Sequence, residues 1–191
     1  MQKEIETFCP ANRQEWRQWL QENHRLQQSV WLVQYKQKSS KPSLSWSDAV
    51  DEALCFGWID STRRTIDQDS FVQVFTKRKP ISNWSKINKA KIMRLTEEGL
   101  MTNAGLEIVE LAKQNGSWTI LDEVEELNIP EDLEKAFLAE PDSRAFFLSL
   151  SKSVKKMILQ WIVLAKRQET RAKRIAETVS CAARKQRPNN F

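Results

Sequence analysis

The apolar pattern of this chain changes period along its length, and that change limits what the chain can fold into. Before Pro80 the two clearest apolar runs are extended. Residues 30–35, Val30-Trp31-Leu32-Val33-Gln34-Tyr35, are rich in β-branched and aromatic side chains. In residues 71–76, Phe71, Gln73 and Phe75 alternate with Val72, Val74 and Thr76. Both sets contain apolar residues, which predicts a strand covered on both faces. It joins residues from Arg63 onward through a turn at Asp67-Gln68-Asp69-Ser70. After Ile129-Pro130 every apolar pattern is helical. The predicted fold class is therefore α+β: mostly helical, with a small antiparallel β-sheet in the N-terminal part and a C-terminal helical bundle. The predicted division is 1–120 and 127–191, with the acidic run 122–126 as the boundary. A short helical part cannot bury its apolar faces alone, so it is expected to dock on the first, with Trp161 at the contact.

Helix signals fill the remainder. Asn12 with Glu15 opens a helix that buries Trp16, Trp19 and Leu20. Ser45 and Asp48 open a second, with Val50, Ala53 and Leu54 on one face, that stops near Gly57. Ser82 is the expected start of a third, with Trp84, Ile87, Ile92 and Leu95 on one side and Gly99 at its end. Thr102 is the expected cap of a fourth, carrying Leu106, Val109 and Ala112. Pro141 ends a short helix that carries Leu133 and Phe137, Ser151 caps another, and a basic helix runs from about Thr170.

Composition excludes several chemistries. Three cysteines, Cys9, Cys55 and Cys181, and one histidine, His24, offer too few soft ligands for most zinc sites. The acidic run has no wrapping loop for a hard cation. No metal and no cofactor are expected. There is no phosphate-binding glycine loop, no dinucleotide fingerprint and no Gly-x-Ser-x-Gly elbow. The start, Met1-Gln2-Lys3-Glu4-Ile5-Glu6, lacks a secretory pattern. The longest apolar stretch, 157–165, is broken by Gln160 and falls short of the roughly 20 residues a membrane span needs. The cytoplasm is the expected location.

Three segments could carry function. In residues 53–64 a helix ends, the chain turns at Gly57, and Asp60 follows Trp58 beside Arg63 and Arg64. The pair could hold an anion, or Trp58 could be core and Asp60 an arginine's buried partner, which is the commoner arrangement. Cys55 reads as an inert core thiol, and His24 as part of a distant linker. The second segment, 77–94, holds seven basic residues and no acidic one. Arg78, Ser82, Ser85 and Asn88 around a helix start, with Trp84, make a candidate anion site. Capping by Ser82 with a solvated basic face explains it equally well. The third, 152–187, holds eleven basic residues against Glu169 and Glu177. Lys166, Arg167, Arg171 and Arg174 are candidates for phosphate contacts, although a solvated face with Glu169 paired to Lys173 is the commoner outcome. Opposite in sign, residues 122–142 carry nine carboxylates and one lysine.

Three sets of motifs resemble the bacteriocin-protection proteins of the YdeI/OmpD-associated family. They are Ser47-Asp48-Ala49-Val50-Asp51-Glu52-Ala53-Leu54-Cys55-Phe56-Gly57-Trp58-Ile59-Asp60-Ser61, Ser82-Asn83-Trp84-Ser85-Lys86-Ile87-Asn88, and Gly99-Leu100-Met101-Thr102-Asn103-Ala104-Gly105-Leu106. Trp161-Ile162, Ala165-Lys166, Thr170-Arg171 and Arg174-Ile175 extend the resemblance over nearly the whole chain. The chain departs from the family pattern at Lys77-Arg78 and at Ser61. The resemblance implies a bacterial protein linked to resistance against bacteriocins or antimicrobial peptides and to an outer-membrane porin, in a family with no established catalytic residues or cofactor.

Three functions follow as expectations. The first is a non-catalytic cytoplasmic binding protein with a protein partner in the envelope-stress response. The second is a nucleic-acid-binding protein that uses the two basic segments. The third is a binder of a small anion, or an enzyme, with a pocket built around Trp58, Asp60, Arg78, Trp84 and Asn88.

Overall fold

A computed structural model describes residues 6–36 and 38–188. Residues 1–5, on which most of the leader reading falls, lie outside the described residues. The chain divides into two compact units, Met1–Trp118 and Thr119–Phe191.

In the first unit the elements run β1 (Thr7–Phe8), α1 (Arg13–Asn23), β2 (Ser29–Tyr35), α2 (Trp46–Cys55), β3 (Trp58–Thr65), β4 (Ser70–Lys77), α3 (Lys86–Glu97) and α4 (Asn103–Gln114). The sheet order is β1-β2-β4-β3. β2 and β3 both pair antiparallel with β4, whereas β1 pairs parallel with β2. The sheet is therefore mixed rather than purely antiparallel. β1 was missed because two residues carry no alternation to detect. The hairpin turn is the expected one: Asp67 Oδ1 accepts from the backbone N–H groups of Asp69 and Ser70 and from the Ser70 hydroxyl.

One sheet face, with Val30, Leu32, Trp58 and Phe75, packs into a core shared with Trp16, Trp19 and Leu20 of α1 and Val50, Ala53 and Leu54 of α2. β4 is covered on both faces, as expected, but unequally. Val74 is buried but stands outside that core, and Val72 is half-buried. Trp16 stacks on Trp19 at 5.3 Å, meets Phe75 edge-on at 5.4 Å and donates its Nε1–H to Ala49 O at 3.0 Å. These rings bury much apolar area while their polar tips stay bonded.

The cap readings of α1 and α2 hold. Asn12 Oδ1 accepts from Glu15 N at 3.0 Å, and Ser45 Oγ from Asp48 N at 3.1 Å. The start of α3 does not hold. Its cap is Ser85, whose hydroxyl accepts from Asn88 N, while Ser82 sits in a turn and donates its N–H to Lys79 O. At about 100° per residue, Ile87 lies roughly 140° around the helix from Ile92. Ile92 and Leu95 reach the core, but Ile87 is 66% exposed.

α2 is buried along its last seven residues, Asp51 and Glu52 included. Both carboxylates are paired. Glu52 accepts from Arg13 Nε at 2.5 Å and Arg17 Nη1 at 2.6 Å, both on α1, and Asp51 accepts from Lys91 and Arg94 on α3. Gly105 brings α4 onto the end of α2. A Cβ there would lie 2.3 Å from Cys55 O.

In the second unit the acidic segment is not a linker but a helical turn, α5 (Asp122–Glu125), with Val124 buried. α6 (Glu131–Leu138), α7 (Pro141–Ser149), α8 (Lys152–Val163) and α9 (Gln168–Ala183) follow. Pro141 opens α7, where its fixed φ suits a first helical position. Ser151 caps α8 as expected. Leu133, Phe137, Phe147, Ile158, Ile162 and Ile175 form this unit's own core, with Trp161 packed against it.

Two outcomes follow. Gly105→Ala should destabilise the first unit by about 1–3 kcal/mol in urea unfolding, because backbone cannot yield to the new methyl, although alanine gains about 1 kcal/mol of helix propensity. Asp51→Asn should cost about 3 kcal/mol by the same measurement, the low end for breaking a buried pair, since Lys91 keeps its bonds to Ser47.

Candidate anion-binding site

The Phe56-Gly57-Trp58 turn builds one side of a cavity. Gly57 has φ +73, which carries the chain from α2 into β3. A Cβ there would meet Ile108 Cγ1 at 3.0 Å and Ala104 O at 3.1 Å, so α4 lies directly against the turn. The indole of Trp58, 1% exposed, donates to His24 O at 3.3 Å and holds the end of α1 nearby. The end of β4 comes alongside. Arg78 N donates to Gly57 O at 2.9 Å, and Lys77 Nζ donates to Arg25 O at 2.8 Å.

These segments line an open cavity of about 300 Å³. Arg25, Lys77 and Arg78 line it with His24, and Glu107 of α4 is its carboxylate. Phe56, Trp58 and Ile108 supply apolar wall. His24 Nδ1 lies 2.8 Å from Leu20 O, a contact that orients the ring. The first turn of α4 also reaches the cavity, through Ala104. Its cap residue, Thr102, directs both N–H and hydroxyl to Cys55 O, so no side chain caps that turn. The positive end of the helix dipole therefore stands at the rim.

Arg78 is the unusual member. It is 5% exposed, and its guanidinium lies 3.6 Å over the Trp84 ring. Nη2 donates to Asn83 O, whereas Nε and Nη1 are buried without a hydrogen-bond partner. Burial pushes its pKa down to about 10, against the pull of the Asp60 charge, so the group stays cationic at neutral pH. A buried cation with unmet donors costs free energy.

A model for a domain of unknown function, DUF8412, matches residues 8–108, just over half of the chain and the whole of this cavity. The chain belongs to the DUF8412 family. The bacteriocin-protection, YdeI or OmpD-associated model matches residues 126–185, inside the second unit. Of the motifs that carried the resemblance, those from Trp161 to Ile175 fall in that match. The Phe-Gly-Trp-Ile-Asp, Ser-Asn-Trp-Ser and Gly99–Leu106 segments fall in the DUF8412 region. No curated protein and no solved structure matches the chain.

Within the DUF8412 part the sequence candidates separate. Trp58 and Arg78 line the cavity. Asp60 pairs with neither Arg63 nor Arg64: its Oδ2 accepts from Trp46 Nε1 at 3.0 Å and Gln73 Nε2 at 2.8 Å. Arg63 stacks on Phe71 at 3.6 Å and Arg64 lies over Trp31 at 5.3 Å. The hairpin register sets them opposite Gln73 and Val72, far along the strand from Arg78. Trp84 is buried between Arg78 and Trp118, while Ser82, Ser85 and Asn88 serve the turn and the cap of α3. Cys55 is inert, its pKa pushed up to about 11 chiefly by burial. His24, Arg25, Lys77, Ala104 and Glu107 were missed as site residues, and no local motif marks them. His24 was read as distant, although its carbonyl bonds Trp58.

The nucleic-acid candidates also separate. Arg171 grips Asp132 through Nε at 2.6 Å and Nη2 at 2.9 Å, and Arg174 donates to Trp161 O and stacks on its ring. Lys166 and Arg167 are exposed, and Lys173 pairs with Glu169 at 2.7 Å as expected.

The hydrogen bonds from Arg171 hold Asp132 below the usual carboxylate range. A depressed carboxyl stabilises the folded state above its unfolded pKa, roughly 3.9, and that stability is lost as pH falls through the folded value. Denaturant unfolding of the second unit should lose stability below that range. Asp132→Asn should lower stability at neutral pH and flatten the acid-side slope.

Proposed function

We propose that this protein is a non-catalytic binding protein whose first unit takes a small anionic ligand at the cavity beside Arg78. The observation that carries the reading is the lining of the cavity, where Arg25, Lys77 and Arg78 meet a single carboxylate, Glu107. Arg25 and Lys77 add positive charge to the cavity, and the uncapped first turn of α4 adds its dipole. Binding is favoured over catalysis because the nearby thiol, Cys55, is held as a neutral group. The nucleic-acid reading is weaker, since Arg171 and Arg174 are engaged inside their own unit.

The cellular role in this reading is protection against bacteriocins or antimicrobial peptides, exercised from the cytoplasm as part of an envelope-stress response. The match over residues 126–185 supports the protective role. Among the described residues no helix is long and apolar enough to cross a membrane.

Arg78→Met separates a ligand anchor from a structural group. Methionine keeps much of the packing against Trp84 and removes a buried charge with unmet donors, so the melting temperature should hold or rise. Titration of the full chain with inorganic phosphate, sulfate and small carboxylates should show affinity falling by roughly 10–150-fold in the variant for whichever of these ions binds, the equivalent of a hydrogen bond to a charged group. A variant that melts early with anion affinity intact would make Arg78 structural and end the reading.

A further inference from the structure

The positive charge and the hydrocarbon of this cavity come from different elements, and that division bears on what fills it. Arg25 follows α1, Lys77 ends β4 and Arg78 follows it. Phe56 closes α2, and Ala104 and Ile108 belong to α4. We propose that the ligand is an organic monocarboxylate with an apolar body, its carboxylate toward Arg25, Lys77 and Arg78 and its body along Phe56 and Ile108. The proposal rests on the anion reading above.

Three features favour this class over an inorganic oxyanion. Phosphate spreads charge over all its oxygens and needs donors on every side. Here part of the wall is hydrocarbon, which would strip water from such an ion and return no hydrogen bond. A carboxylate gathers its charge at one end. The second feature is negative charge already present: Glu107 lines the cavity, and the carbonyl end of α2 abuts it at Phe56 and Gly57. A dianion meets more repulsion there than a monoanion. The third is size. At about 300 Å³ the cavity sits at the lower limit of small-molecule sites, roughly 300–1,000 Å³. A water occupies about 30 Å³ of liquid, so acetate or phosphate would leave most of the space to solvent.

Isothermal titration of the full chain with benzoate, acetate and inorganic phosphate, at matched ionic strength, tests this. Benzoate should bind at least about tenfold more tightly than acetate or phosphate, from burial of its ring. Ile108→Ala should weaken benzoate several-fold and leave acetate unchanged. Lys77→Gln should weaken every probe that binds. Phosphate binding as tightly as benzoate, or more tightly, would overturn the monocarboxylate proposal while leaving the anion site standing. Benzoate affinity untouched by Ile108→Ala in a folded variant would overturn it as well. Absence of binding by all three, phosphate included, would remove the anion site itself and the proposal with it.

Discussion

The first unit depends on how helix α2 is held. Most of its residues are buried, and two of them, Asp51 and Glu52, are carboxylates. Adjacent helical residues point about 100° apart, so the two charges face different neighbours. Glu52 meets Arg13 and Arg17 of α1, and Asp51 meets Lys91 and Arg94 of α3. Buried carboxylates without partners would be intolerable; with two cations each, they fix which helices flank α2 and in what orientation. Arg17 also donates to Leu100 O, which ties the connection before α4 to the same network.

That arrangement delivers the cavity. With α2 clamped on two sides, its end can turn only where Gly57 turns, and Gly105 lets α4 close against the Cys55 carbonyl. Thr102 is thereby diverted from capping its own helix. The same contacts that seal the core leave a positive helix end and the end of β4 around one space. Arg78 shares that place in the fold, since its N–H bonds Gly57 O while its guanidinium rests on Trp84.

Buried pairs at α2 and the unmet donors of Arg78 are opposite solutions to one problem. Asp51 and Glu52 bring partners from within the fold, so their charges serve architecture. Arg78 has a ring beneath it and one carbonyl beside it, and two of its N–H groups have no acceptor. The second unit repeats the first solution at its surface. Arg171 with Asp132 and Arg144 with Glu134 join helices through exposed or half-exposed pairs, which explains why a strongly basic tail does not present a uniform positive face.

The sequence by itself determined what depends on neighbours along the chain. Asn12, Ser45 and Ser151 marked helix starts because a short polar side chain reaches the N–H three residues on. The β-branched and aromatic run at residues 30–35 and the alternation in residues 71–76 marked strands, and the change of period after Pro130 marked the helical half. Tertiary structure alone decided what depends on contacts between distant segments. Trp84 looked like part of a helix face, yet it lies before the helix, under Arg78, and the helix begins only after the Ser85 cap. Asp60 looked like an arginine's partner, yet the strand register gives it to Trp46 and Gln73 and sends Arg63 and Arg64 to aromatic rings. His24, Arg25, Lys77 and Glu107 carry no shared motif, because what unites them is the closure of a space by α1, β4 and α4, and no local rule of spacing encodes that closure.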